Sequence, residues 1–342
     1  MFHGRGVLMY KISNRGINAL YEKLSNIAPL FLPVNQDEPA LTDFTKWEPS
    51  IPAETVDMKT LKTTKSPKDF FLPPFEELYK ARLNGEDIEI KQMPLPDKPF
   101  ILFGVRACDF AGIGLLDEVY LADPVDSFYA ARRNSATIFT LACESPAPTC
   151  FCNSFDIDPL NPMGDVSMWF TEEFLYLKPI TEKGEQVLDS VGSLPEESRP
   201  NIPFSHNPNP KLPLERLDPK ELLAKFESGK WDQLHQTCIS CGTCTFLCPT
   251  CQCYDISDFA SGKGVRCHRT WDSCMYKDFT LMAHGNPRPS SKARFRQRFM
   301  HKLFYYGDSK EIKFGCVGCG RCTNKCPVNL SIVKIIKAMG EE

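Results

Sequence analysis

Residues 238 to 255 read CISCGTCTFLCPTCQCYD and put six cysteines into eighteen positions. The first four, Cys238, Cys241, Cys244 and Cys248, fall in the run C-x2-C-x2-C-x3-C, with Pro249 directly after the last. That is the spacing with which bacterial ferredoxins ligate a 4Fe-4S cluster. The run recurs in CVGCGRCTNKCPVNL, as Cys316, Cys319, Cys322 and Cys326 followed by Pro327. Two matches in one chain leave little room for coincidence.

In two-cluster ferredoxins the fourth cysteine of each run ligates the other cluster. The expected sets are therefore Cys238, Cys241, Cys244 and Cys326 for one cluster, and Cys316, Cys319, Cys322 and Cys248 for the second. Thiolates are soft ligands suited to iron–sulfur clusters. Gly242, Gly318 and Gly320 let the backbone turn tightly and aim N–H groups at sulfur. The proline after each fourth cysteine ends the loop, since it lacks an N–H and fixes its own φ. Zinc is the rival, because C-x2-C pairs also build structural zinc sites, but zinc does not call for the third, evenly spaced cysteine. Disulfides fit less well in a chain with no visible secretory signal.

At 342 residues, 42% hydrophobic and 24% charged, the chain has room for two domains of ordinary globular composition. A net charge of −3 gives no push toward nucleic acid or anionic lipid. The opening MFHGRGVLMYKISNRG shows no apolar signal core, and no stretch has the roughly 18 uninterrupted apolar residues of a membrane helix. A cytoplasmic protein with no membrane span and no nucleic-acid partner is expected.

Along the chain, INALYEKLSNI reads as an amphipathic helix and PFEELYKARL as another, while the proline-broken stretch between them wraps a surface. KPFILFGV and SATIFTLAC read as buried strands ending near Cys108 and Cys143, the first followed by a helix. Residues 165 to 205 read as strand-rich with a helix at EKGEQVLDSV, and the proline- and asparagine-rich stretch from Pro200 as a linker. These readings give an α/β domain over residues 1–215 and a mainly helical, ferredoxin-type dicluster domain over 216–342. The 67 residues between Cys248 and Cys316 far exceed the spacing of a small ferredoxin, and helices are expected to fill them.

Four further thiols, Cys108, Cys143, Cys150 and Cys152, lie in the first domain. In a parallel sheet the carboxyl ends of the strands share one edge, so these thiols can converge as a third metal site. Their spacing matches no standard motif, and free cysteines are the competing reading. Cys251, Cys253, Cys267 and Cys274 read as structural thiols packed under the clusters. The basic segment from Arg288 to Lys302 interleaves cations with Phe295, Phe299, Leu303 and Phe304. The aromatic spacing marks a core face, with the cations on a solvated face or a docking surface for an acidic partner. No nucleotide-binding glycine loop occurs.

Taken in order, FGVRACD, LLDEVYL, CFCNS, CISCGTCTFLCPTCQCYD, WDSC and CVGCGRCTNKCP resemble a family of iron–sulfur electron-transfer subunits, typified by that of anaerobic sulfite reductase and by the beta subunit of cytoplasmic sulfhydrogenases. The resemblance spans roughly residues 65 to 340. It implies a third 4Fe-4S cluster on Cys108, Cys143, Cys150 and Cys152, beside the two of the runs. It also implies an electron-transfer subunit without a catalytic residue of its own, working between a flavin- and NAD(P)H-dependent reductase subunit and a catalytic oxidoreductase subunit of sulfite reductase, hydrogenase or heterodisulfide-reductase type. The alternative is a self-contained iron–sulfur reductase with its substrate site in the N-terminal domain.

Overall fold

The computed structural model describes residues 9–36, 41–52, 55–85, 87–198, 209–262, 264–306 and 313–341. The N-terminal part runs through β1 (Met9–Ser13), α1 (Ile17–Ile27), β2 (Leu30–Gln36), β3 (Leu41–Lys46), β4 (Phe75–Asn84), β5 (Asp87–Gln92) and β6 (Phe100–Arg106). It continues with α2 (Ala107–Tyr120), α3 (Ser127–Ser135), β7 (Ala136–Leu141), β8 (Val166–Phe170), β9 (Phe174–Pro179), α4 (Glu182–Val191) and β10 (Glu196–Ser198). The rest comprises α5 (Leu222–Glu227), α6 (Trp231–Leu234), α7 (Thr243–Phe246), β11 (Tyr254–Ser261), β12 (Gly264–Trp271), α8 (Ser291–Leu303), α9 (Arg321–Asn324) and α10 (Ile332–Gly340). The opening stretch up to residue 8 and residues 199–208 of the expected linker lie outside the described residues.

Eight strands form one mixed sheet in the order β10-β1-β9-β8-β7-β6-β2-β3, in which β2, β6, β7 and β8 run parallel. Alternation along the strands explains why helices cover both faces. Ile101 and Phe103 of β6, with Phe139 and Leu141 of β7, join Leu20 and Leu24 of α1 and Leu188 of α4 in one core. Leu102 and Val105, with Ala136 and Ile138, join Ile113 and Leu116 of α2 and Tyr129 of α3 in the other. Gly104, at φ +98°, is the unpaired residue of a bulge between Phe103 and Val105, and it resets the alternation just before the strand ends. Arg106 lies opposite Leu141 in the register, so β6 and β7 end together. Cys108 and Cys143 follow those two ends directly.

The expected fold class is corrected by a second sheet. Tyr254–Ser261 and Gly264–Trp271 pair as the hairpin β11–β12, which joins β4 and β5 in the antiparallel order β11-β12-β4-β5. The stretch between the cysteine runs is thus not filled by helices alone, and α5, α6, α7 and α9 are each six residues or shorter. PFEELYKARL, read as a helix, is strand β4. Its helix-forming residues are overridden by pairing on both sides and by buried Glu76, which forms ion pairs with Arg269 of β12 and Arg132 of α3. Asn84-Gly85, with Gly85 at φ +69°, makes the turn into β5, and Asn-Gly is a strong hairpin signal.

The remaining core lies under the cysteine runs. Phe295, Phe299, Leu303 and Phe304 bury the aromatic face of α8, as their spacing indicated, against Trp231 and against Ile332, Ile335, Ile336 and Met339 of α10. Fully burying each such side chain contributes about 1.5–3 kcal/mol. Half-buried Cys238, Cys244, Cys316 and Cys322 pack on this core. Among the described residues no helix is long and apolar enough to cross a membrane.

Candidate iron–sulfur site

The two runs fold alike. The third and fifth positions of each are left-handed: Ser240 and Gly242 at φ +56° and +77°, Gly318 and Gly320 at +63° and +73°. A four-residue helix follows in each case, α7 or α9, carrying the third cysteine. Backbone amides turn toward sulfur, with Gly318 N donating to Cys316 Sγ at 3.5 Å and Leu330 N to Cys326 Sγ at 3.2 Å.

Cys238, Cys241 and Cys244 of the first run share one apolar cavity with Cys322 and Cys326 of the second. Its mouth carries exposed Cys241 and Ile239, while Met275, Phe295, Arg298 and Phe299 line its depth. Cys248 lies apart from this cavity and beside the second run. The Thr250 hydroxyl donates to Gly315 O at 2.8 Å, next to Cys316, and stands 3.1 Å from Cys248 Sγ. Burial pushes the Cys316 thiol up, with Cys248 the next cause, and burial likewise pushes Cys319 up to about 12. Free thiols here would stay protonated, and iron coordination would deprotonate them.

The N-terminal thiols meet the second run. A Cβ on Gly318 would come within 2.5 Å of the Phe151 backbone, and one on Gly320 within 2.1 Å of Thr149 O. Only glycine permits both the left-handed φ and this approach. Phe151 N donates to Gly318 O at 2.9 Å, and Lys62 Nζ bridges Thr149 Oγ1, Cys150 Sγ and Cys319 O at 2.7, 3.7 and 3.3 Å. Cys152, pushed up to about 11 by burial, faces Cys150 and Cys143, and Cys108 faces both Cys319 and Cys152. Next to Cys108, Asp109 accepts two hydrogen bonds from Arg321 at 2.5 and 2.8 Å, both side chains being 2% exposed. The structure thus brings all four N-terminal thiols to the carboxyl edge of β6 and β7, against the second run.

Positive charge is buried where the sulfur is. Lys68, Arg298 and Lys302 are each at most 5% exposed. Among the described residues none of the three pairs with a carboxylate, and Arg298 Nε has no hydrogen-bond partner. Instead Arg298 faces Cys244, Cys322, Cys251 and Cys248, and Lys302 faces Cys248, Cys251 and Cys316. Lys68 Nζ donates to Cys251 O at 3.0 Å and lies 4.1 Å from the centre of the Trp271 ring. Buried cations without counter-charge are costly, so these side chains and the thiolate donor set fit anionic clusters. This corrects the solvated-face reading for Arg298 and Lys302, which are buried, while Arg294 is spent on the carbonyls of Met275, Arg288 and Pro289 and Lys292 stays at the surface beside Asp232. No pattern of cations alone could reveal that anions would lie on the buried side. Lys62 and Lys68 also went unnoticed in the sequence. Among the described residues no three His, Cys, Asp or Glu side chains converge at the spacing of a single metal ion.

The sequence profile of the 4Fe-4S dicluster domain family matches residues 237–330. Sulfhydrogenase 2 subunit beta of Pyrococcus furiosus is 33% identical over 292 residues, 82% of this chain and 84% of that protein. No solved structure matches. The chain carries a 4Fe-4S dicluster domain and belongs to the family of iron–sulfur subunits that includes the sulfhydrogenase beta subunit.

Proposed function

We propose that this chain is a relay in a cytoplasmic electron-transfer complex, receiving electrons from a flavin- and NAD(P)H-dependent reductase subunit and delivering them to a catalytic oxidoreductase subunit. In this reading Cys238, Cys241, Cys244 and Cys326 hold one 4Fe-4S cluster, Cys316, Cys319, Cys322 and Cys248 a second, and Cys108, Cys143, Cys150 and Cys152 a third. When bound, such clusters supply one-electron transfer over a wide range of potentials.

The observation that carries the reading is the contiguity of the thiol sets from surface to interior. The first set reaches solvent at Cys241, it shares a cavity wall with Cys322, and Cys319 faces Cys108 of the third. The chain's own residues supply ligation, a dry apolar surround and compensating positive charge, which is the protein's part in cofactor chemistry. A self-contained reductase would use the cleft of about 550 Å³ at the carboxyl ends of β6 and β7, lined by Lys59, Arg106 and Glu144. Arg106 does not favour it, since its guanidinium already donates to the carbonyls of Thr60, Ala142 and Met58.

The test is turnover by the isolated chain. Dithionite-reduced protein should pass electrons to a reconstituted partner and show no steady turnover with NAD(P)H, sulfite or hydrogen alone. Turnover of any of these without a partner overturns the relay.

A further inference from the structure

Of the four thiols outside these sets, three lie together. Cys251 and Cys253 lead into β11, and Cys274 follows β12. Closure of the hairpin aligns them: Tyr254 pairs with Trp271, and Asp272 N donates to Cys253 O at 2.9 Å. Cys253 lies beside Cys274, Cys274 faces Cys251, and Cys251 lies beside Cys248. The result is a row of sulfur running from Cys248 to the base of the second sheet. Cys251 and Cys274 are 9% and 8% exposed.

Buried free cysteines behave as small hydrophobes, and a row of neutral thiols would be unremarkable in an apolar pocket. This pocket is not apolar. Lys68 and Lys302 both face Cys251 and Cys253, and the guanidinium with the unpartnered Nε, that of Arg298, faces Cys251 and Cys274. Neutral thiols would leave that positive charge uncompensated on this side, whereas metal-bound thiolates would answer it. Cys267 makes the contrast. It sits in strand β12 and faces Tyr79 and Asp258 of the second sheet.

We propose that Cys251, Cys253 and Cys274 ligate an additional thiolate-bound iron–sulfur centre adjacent to Cys248. The proposal rests on the chain being a cluster-binding protein, and the experiment separates the two. Full-length protein is purified anaerobically, supplied with Fe²⁺ and sulfide, and assayed for bound iron and acid-labile sulfide together with the paramagnetic signals of the reduced ferredoxin-type clusters. Cys253→Ala and Cys274→Ala should each lose the same fraction of iron and sulfide while those signals persist, and Cys267→Ala should lose none. Full iron in both variants overturns the proposal and leaves the relay standing; wild type without iron overturns both. To guard against variants that fail to fold, iodoacetamide labelling of the wild type gives a second readout. Cys253 and Cys274 should be protected in the loaded protein and labelled after the iron is stripped with chelator and ferricyanide. Equal labelling before and after stripping overturns the centre.

Discussion

Residues 238–248 and 316–326 have the same left-handed positions and the same short helix, yet their neighbours differ. Around the first run the contacts are soft: Cys241 and Ile239 are exposed, and what crowds Gly242 is the hydroxyl end of the Tyr276 side chain. Around the second they are backbone and buried charge: Thr149 O against Gly320, Phe151 against Gly318, and Asp109 against Arg321. Cysteine and glycine spacing therefore dictates the loop, while the surroundings decide whether a site opens outward or joins the interior.

The largest expected effect tests whether the runs exchange ligands. Cys326→Ser should remove about four irons and abolish the signal of the cluster associated with Cys238, Cys241 and Cys244. Iron analysis with electron paramagnetic resonance checks this, and damage confined to the other cluster would uncross the assignment.

Next comes rigidity. Alanine at Gly242 or at Gly320 bears the left-handed penalty of about 1–2 kcal/mol. At Gly242 the tyrosine end can swing aside; at Gly320 the new Cβ meets Thr149 O, and the loss should exceed about 4 kcal/mol. Thermal denaturation of the two variants side by side decides it, and equal losses would show that the surroundings do not matter.

Breaking the buried pair follows. Asp109→Asn strands Arg321 and should cost about 3–5 kcal/mol by anaerobic chemical denaturation, with much of it recovered by combining Asp109→Leu and Arg321→Met. Asp232→Asn, at an exposed pair with Lys292 near the first run, should leave the midpoint where it was.

The smallest effect is a contrast in acid response. Burial holds His301, which stacks on Tyr306 beside the second run, down to about 4. The unfolded imidazole binds its proton near 6.5, so this contribution is present above that pH and is lost as pH falls from 6.5 to 4, by about 2 kcal/mol at pH 5. Asp69, next to Lys68 on the side of the first run, is pushed up to about 6 by burial. It works the other way, stabilising as pH falls from 6 toward 4. His301→Gln should flatten the acid decline of the denaturation midpoint, and Asp69→Asn should steepen it.

Elements specified by local pattern were legible in the sequence: the cysteine runs, α1, β6, β7 and the aromatic face of α8. The second sheet was not, because β4 becomes a strand through pairing with β12, nearly two hundred residues away, and no local window contains that partner. The Asn84-Gly85 turn was the one local clue. For the same reason Arg298 and Lys302 read as a surface stripe. A cation's burial depends on groups supplied by other segments, and here those groups are cysteines far along the chain.

The Asp109–Arg321 pair also bears on biosynthesis. Asp109 leaves the ribosome more than two hundred residues ahead of its only guanidinium partner among the described residues. Until the last stretch of chain emerges, α2 presents an unanswered carboxylate next to Leu115 and Cys108, the apolar face later covered by Val317 and Cys319. Contacts of such long sequence separation form late and slowly. A chain that stops short of Arg321 therefore lacks the guanidinium that answers Asp109 and the Val317 and Cys319 side chains that cover Leu115.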